Sequence, residues 1–172
     1  MGVRELKASV DAGPLIHLTE IGCLRFLNGF DALHVPDAIW FETVSQDRIS
    51  QTDLLNVKNI QRHTLSKPEV EEFVNENNLS ALHAGEQECL FVCMSENISV
   101  ILTDDMAVRD VARRHHIVPV GSLGIVVSAF RRKEITLQEA ECYIGDLHEV
   151  SSLFVTRAIV ELAIKQLRSV SK

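Results

Sequence analysis

Apolar and polar positions alternate in blocks along the chain, with short β-branched runs separated by longer amphipathic stretches. Leu6–Asp11 predicts a first strand running into Asp11, and Gly13-Pro14 stops it. Pro14 suits the first turn of a helix, because its missing N–H has no intrahelical partner there. Leu15, Ile16, Leu18 and Ile21 give that helix an apolar side. A short helix over Cys23–Leu27 and a strand at Leu33–Val35 follow. Pro36-Asp37 closes the strand and offers Asp37 as the N-cap of a helix carrying Ile39, Trp40, Glu42, Thr43 and Val44. Thr52–Leu65 is ambiguous, with Val57–Ile60 reading as a short strand. Ser66 and Glu69 are spaced as a capping box for the next helix. A helix over Ala84–Glu96 leads to Ile98–Thr103, a compact run of the kind found in buried parallel strands. Asp104-Asp105 ends that strand, and Met106–His115 continues as a helix. Ile117–Val120 predicts a last strand, and Gly121-Ser122-Leu123-Gly124 opens a helix to about Arg132.

Short strands separated throughout by helices predict an α/β fold with a mainly parallel sheet. Residues 1–132 carry this alternation, while 133–172 read as a helical C-terminal extension. In its last helix the pattern sets Val155, Ala158, Ile159, Leu162 and Ala163 toward the core and Val160 and Ile164 on an adjoining stripe. So wide an apolar face needs cover from the same domain or from a second copy of the chain.

Composition narrows the class. At 172 residues the chain suits one domain, and 46% hydrophobic with 24% charged residues is globular rather than disordered. No apolar run approaches the roughly 20 residues of a membrane-spanning helix. The first seven residues carry charges where a signal peptide needs an apolar stretch, so a cytoplasmic, membrane-free protein is expected. Cys23, Cys89, Cys93 and Cys142 are too scattered for a disulfide framework, and Cys89 and Cys93 lack a second pair to complete a zinc site. The net charge of −7 opposes passive nucleic-acid binding through a basic surface. It leaves room for an enzyme whose carboxylates collect cations.

The acids are placed for such a site. Ligands of open parallel sheets bind beyond the carboxyl ends of the strands, where Asp11 and Asp104-Asp105 stand. Glu42 and Glu86 enter helices beside hydrophobic positions. Carboxylates converging in such surroundings are costly unless compensated, and hard divalent ions, Mg²⁺ or Mn²⁺, match oxygen donors. Arg109, Arg113, Arg114 and Arg131-Arg132-Lys133 are the bases available to grip phosphates. His115-His116 point about 100° apart on a helix and suit its C-terminus better than a metal. The Gly121–Gly124 loop lacks the Lys and spacing of a phosphate-binding P-loop.

Taken together, these motifs resemble the PIN-domain family of metal-dependent ribonucleases, especially its VapC-like toxin branch. Val10-Asp11-Ala12-Gly13-Pro14-Leu15-Ile16 is similar to the family's opening motif, and Val35-Pro36 followed by Glu42 to its second. Gly85-Glu86 with Leu90 resembles the third acidic position, and Ile101-Leu102-Thr103-Asp104-Asp105 with Arg109 the fourth. Val120-Gly121-Ser122-Leu123-Gly124 resembles the Gly-Thr end of one subgroup, with Ser122 in place of Thr. The resemblance covers about Ala8–Phe130. It implies a three-layer α/β/α fold and Mg²⁺- or Mn²⁺-dependent hydrolysis of RNA. Asp11, Asp104, Asp105 and Glu86 are then the implied metal ligands, with Glu42 completing the catalytic set. Thr103 and Arg109 are implied on the substrate side. An antitoxin protein and a homodimer are the implied partners. The competing reading is a non-catalytic PIN-fold module that holds a protein or nucleic-acid partner. A haloacid-dehalogenase-type phosphatase needs a second Asp where Gly13 stands, and a response-regulator receiver needs its acidic pair early and a late strand-end Lys.

Overall fold

The computed structural model describes residues 5–170, so the charged N-terminal stretch and the end of the C-terminal tail lie partly outside the described residues. Five strands form one all-parallel sheet: β1 (Lys7–Val10), β2 (Ala32–Pro36), β3 (Ile60–His63), β4 (Val100–Leu102) and β5 (Val118–Val120), in the order β3-β2-β1-β4-β5. Helices cover both faces in a three-layer α/β/α arrangement. Parallel neighbours need long crossovers, and here α1 (Ala12–Glu20), α2 (Asp37–Trp40), α3 (Gln51–Leu55), α4 (Lys67–Glu76), α5 (Ala84–Ser95) and α6 (Met106–Arg114) supply them. The chain then continues through α7 (Ser122–Arg131), α8 (Leu137–Glu149) and α9 (Arg157–Val170). Successive strands move outward from β1 to β3, then return to the other side of β1 for β4 and β5. The switch point between β1 and β4 is where a crevice opens.

Central strands are buried on both faces, which is why Ala8, Val10, Ile101 and Leu102 are all apolar and fully covered. The third strand escaped the sequence pattern. It lies at Ile60–His63 rather than Val57–Ile60, because Ser50 caps α3 by accepting from Asp53 N–H and Asn59 turns the chain at φ 60°. As a half-exposed edge strand it carries Gln61, Arg62 and His63 instead of an apolar run. The Ser66–Glu69 capping box does not form: Ser66 is the N-cap of α4, but its side chain makes no capping hydrogen bond. Asp37 lies inside the first turn of α2, not at its N-cap, and its carboxylate instead accepts from Arg62 and Thr64. After Trp40 the helix widens into a π turn over Phe41–Ser45 that carries Glu42.

In the C-terminal extension, α8 and α9 join the same core through Ala140, Ile144, Leu147, Val160 and Leu167. The predicted face of the last helix is rotated. Val155 precedes α9, Val160 is buried, and Ile159 and Leu162 are 48% and 56% exposed. The docking stripe runs Val160–Ala163/Ile164–Leu167, the i, i+3/i+4, i+7 spacing of one helix side. A two-pronged ion pair from Arg168 to Glu141 on α8, at 2.6 and 3.0 Å, accompanies that packing. Among the described residues no helix is long and apolar enough to cross a membrane.

Candidate active site

Asp11 stands where β1 ends. Its own N–H still donates to Leu102 O, so the ladder to β4 holds its backbone at the switch point. It caps α1: Oδ1 accepts from Ala12 N–H and Oδ2 from the Thr103 hydroxyl, both at 2.8 Å. Only 7% of the residue is exposed. Burial, opposed by those two hydrogen bonds and reinforced by the charges of Glu86 and Asp104, raises its pKa to about 6.

Thr103, fully buried at the end of β4, ties two acids together. It donates to Asp11 and accepts from Asp105 N–H at 3.2 Å. Asp105 in turn caps α6, its Oδ1 accepting from Val108 N–H. Asp104 is held differently. Oδ2 accepts from Ser122 Oγ at 2.5 Å and lies 2.8 Å from His17 Nδ1, while Oδ1 accepts from Ser122 N–H at 2.7 Å. Gly121 makes room for this, since a Cβ there would sit 2.7 Å from Asp104 Oδ1 and 3.1 Å from an Arg109 guanidinium nitrogen. Arg109 reaches back to donate to Thr103 O at 3.2 Å.

The two glutamates approach from the other wall. Glu42 projects from the π turn, and Gly85 admits it: a Cβ at Gly85 would lie 3.0 Å from Glu42 Oε1 and 2.6 Å from Ile39 Cδ1. Glu86 opens α5, where its Oε2 accepts from His83 N–H at 2.8 Å. Burial raises the pKa of both, with Asp11 adding to the effect on Glu42, and Asp105 and Glu42 adding to that on Glu86. Asp11, Glu42, Glu86, Asp104 and Asp105 all line one open cleft of about 700 Å³, with His17, His83 and Phe154 on its rim. Among the described residues, none of the five forms an ion pair with a Lys or Arg; His17 lies against Asp104, and His83 acts on Glu42 and Glu86 through its charge.

The DUF3368 family model, described as a PIN domain, matches residues 8–169. The chain belongs to the PIN-domain family. No curated protein matches it. The match takes in α8 and almost all of α9, so the PIN-domain family model includes the C-terminal extension.

The five acids proposed for the site in the sequence, Asp11, Glu42, Glu86, Asp104 and Asp105, line the cleft of this PIN domain, and Thr103 joins two of them. Arg109 faces a neighbouring groove that also reaches Asp104. Two site residues were missed. His17 sits one turn after Gly13 on α1, a polar position between Ile16 and Leu18 that spacing from Asp11 would have flagged. Ser122 was noted only as the residue replacing Thr in the Gly-Thr motif, whereas it gives Asp104 two hydrogen bonds.

The donor set fits a hard divalent cation: carboxylate oxygens only, in a crevice where their charges oppose one another without a lysine or arginine. Among the described residues, no group of three or more His, Cys, Asp or Glu side chains is drawn together closely enough to hold a metal ion on its own. An open site suits Mg²⁺, which keeps several waters and takes one or two carboxylates directly.

Proposed function

We propose that this PIN domain is a Mg²⁺- or Mn²⁺-dependent endoribonuclease. PIN domains are a nuclease-type fold, and the observation that carries the finer reading is Asp11. A carboxylate that is 7% exposed, raised to about 6 and surrounded by four further acids is kept at a cost to the fold. A bound dication repays that cost. Asp11, Asp105, Asp104 and Glu86 would hold the ion, with Glu42 completing the site directly or through water. Bound there, the ion supplies a nucleophilic water near neutral pH and neutralises charge building on the phosphodiester oxygens.

The remaining residues position this set. Thr103 holds Asp11 and the backbone of Asp105 in one arrangement, so neither carboxylate has to reorganise on binding. His17 and Ser122 fix the rotamer of Asp104. Arg109, on the rim of the neighbouring groove, draws the phosphate backbone toward an otherwise anionic cleft. On the motif resemblance to the VapC-like branch, we extend the reading to the toxin of a toxin–antitoxin pair.

The test is cleavage of a labelled single-stranded RNA with Mn²⁺ or Mg²⁺, with and without EDTA, by the wild type and Asp11→Asn. Cleavage lost with either change supports the proposal. Cleavage surviving both contradicts the metal mechanism, and a wild type that binds RNA without cutting it is the outcome for a binding module.

A further inference from the structure

We propose that Phe154 is a stacking platform for an unpaired base of the RNA, with Arg109 and Arg131 taking the adjoining phosphates; this rests on the ribonuclease reading above. Phe154 lies in residues 150–156, between α8 and α9, and is 95% exposed. The segment that presents it is pinned. Leu153 and Val155, on either side, pack against the core. Ser152 donates from its N–H and its hydroxyl to Glu20 Oε2 at 2.7 and 2.9 Å, and His148 Nδ1 donates to Val155 O at 2.8 Å. A ring held outward on a backbone already fixed at both ends costs little to order when a ligand stacks on it.

Its place in the molecule points to the ligand. Phe154 lines the acidic cleft and also a groove of about 630 Å³ next to it; the two share Asp104, Leu153 and Phe154. The groove combines apolar surface from Met106, Leu123 and Ile159 with the guanidinium groups of Arg109 and Arg131. Among the described residues, neither arginine forms an ion pair with a carboxylate. The cleft repels phosphate until a cation is bound, whereas the groove beside it attracts phosphate and offers an aromatic face. A nucleotide presents the same pair of features, a flat apolar base joined to an anion, and stacking accepts any base. A purely apolar partner helix would leave two guanidinium groups without counter-charge at the contact.

The experiment compares fluorescein-labelled hexauridylate with the same oligomer carrying one abasic riboside, by anisotropy in EDTA so that nothing is cut. The wild type and Phe154→Trp should prefer the intact oligomer by roughly 10-fold or more, and Phe154→Ala should lose that preference. With Mn²⁺, Phe154→Ala should raise KM by a similar factor while kcat stays within about threefold, because the ring does not touch the reacting bond. An unchanged melting midpoint in Phe154→Ala shows that the fold is intact. Equal binding of both oligomers by the wild type, no measurable binding of either, or a Phe154→Ala effect confined to the sedimentation coefficient overturns the proposal, since the groove and ring are to bind without a cation; the last assigns the ring to a protein contact. Base-dependent binding without any cleavage would instead remove the ribonuclease chemistry and leave the platform standing.

Discussion

Asp11 and Asp37 both follow the carboxyl end of a parallel strand, one after β1 and the other after β2, yet the fold treats them in opposite ways. Asp37 is partly exposed. Burial is the largest single influence and pushes its pKa up, but the Thr64 hydroxyl and the Arg62 guanidinium together outweigh it and hold the pKa below the usual carboxylate range. Arg62 also stacks over Trp40 at 4.8 Å, so this acid belongs to a neutralised edge cluster. Asp11 has a hydroxyl and one backbone N–H for partners, further acids for neighbours, and a pKa pushed up to about 6. At the sheet edge the chain supplies a counter-charge for its carboxylate; at the β1–β4 switch it withholds one. In the proposed mechanism the strand-end acid denied a counter-ion is the one that would take an ion from solution.

The largest difference between the two should be in turnover. Asp11→Asn should lower RNA cleavage by more than about 100-fold, since it removes the charge at the centre of the cation site. Asp37→Asn should leave cleavage within about threefold and cost roughly 1 kcal/mol of stability or less, the usual worth of a part-exposed ion pair. Equal losses from both would erase the distinction.

Stability against pH sharpens the same contrast. A carboxyl whose folded pKa is raised binds its proton more tightly folded than unfolded. Its contribution is therefore present below the unfolded value near 4 and is lost as pH rises through the folded value near 6. For Asp11 this amounts to about 3 kcal/mol, and Glu42 and Glu86 act in the same direction. The metal-free wild type should lose melting temperature between pH 4 and 7, and Asp11→Asn should flatten that decline and be the more stable protein at pH 7. Asp37, with its lowered pKa, contributes in the opposite sense: its share is present above pH 4 and fades on acidification. Thermal melts in EDTA across that range decide the point.

How far the sequence disclosed this depends on what marks a residue. Strand-end acids behind β-branched runs are legible because both strand and acid leave a local trace, as at Val10-Asp11 and Leu102-Thr103-Asp104. The edge strand Ile60–His63 left none, because its burial is partial and its polar residues answer to distant partners, Arg62 to Asp37 and His63 to His34, 25 and 29 positions away. The roles of His17 and Ser122 were hidden for the same reason: they converge on Asp104 from 87 and 18 residues away. The rotation of α9 was not legible because both stripes are apolar, and what accompanies the buried one, packing of Val160 and Leu167 in the core and an ion pair from Arg168 to Glu141, 27 residues away, leaves no local trace.

Those hidden contacts predict a middle-sized effect. Ser122→Ala and His17→Ala each free Asp104 from part of its support, and losses of roughly 10- to 100-fold in cleavage are expected, as for other residues that orient metal ligands. The melting temperature should move little for either variant. An unaltered rate would show that Asp104 needs no fixing, and would confine the site to Asp11, Asp105 and the glutamates.

The smallest effect concerns assembly. Leu162, exposed on α9 and outside the groove that Phe154 and Ile159 line, is an apolar side chain α9 has to offer a second copy, and we expect a homodimer through it. Leu162→Glu should sediment as a monomer without loss of fold, whereas Val160→Glu, placed at a buried position, should destabilise the protein itself. A wild type that sediments as a monomer removes the dimer.

Calorimetric titration of Mn²⁺ at pH 6 into the wild type, Asp11→Asn and Asp37→Asn tests the central claim most directly. Near its pKa, Asp11 is about half protonated, so an ion that binds there must release protons and give a heat that changes with the ionisation enthalpy of the buffer. The account predicts buffer-dependent binding in the wild type and Asp37→Asn, and none in Asp11→Asn. No binding by the wild type at millimolar Mn²⁺, or equal binding by Asp11→Asn, would contradict it.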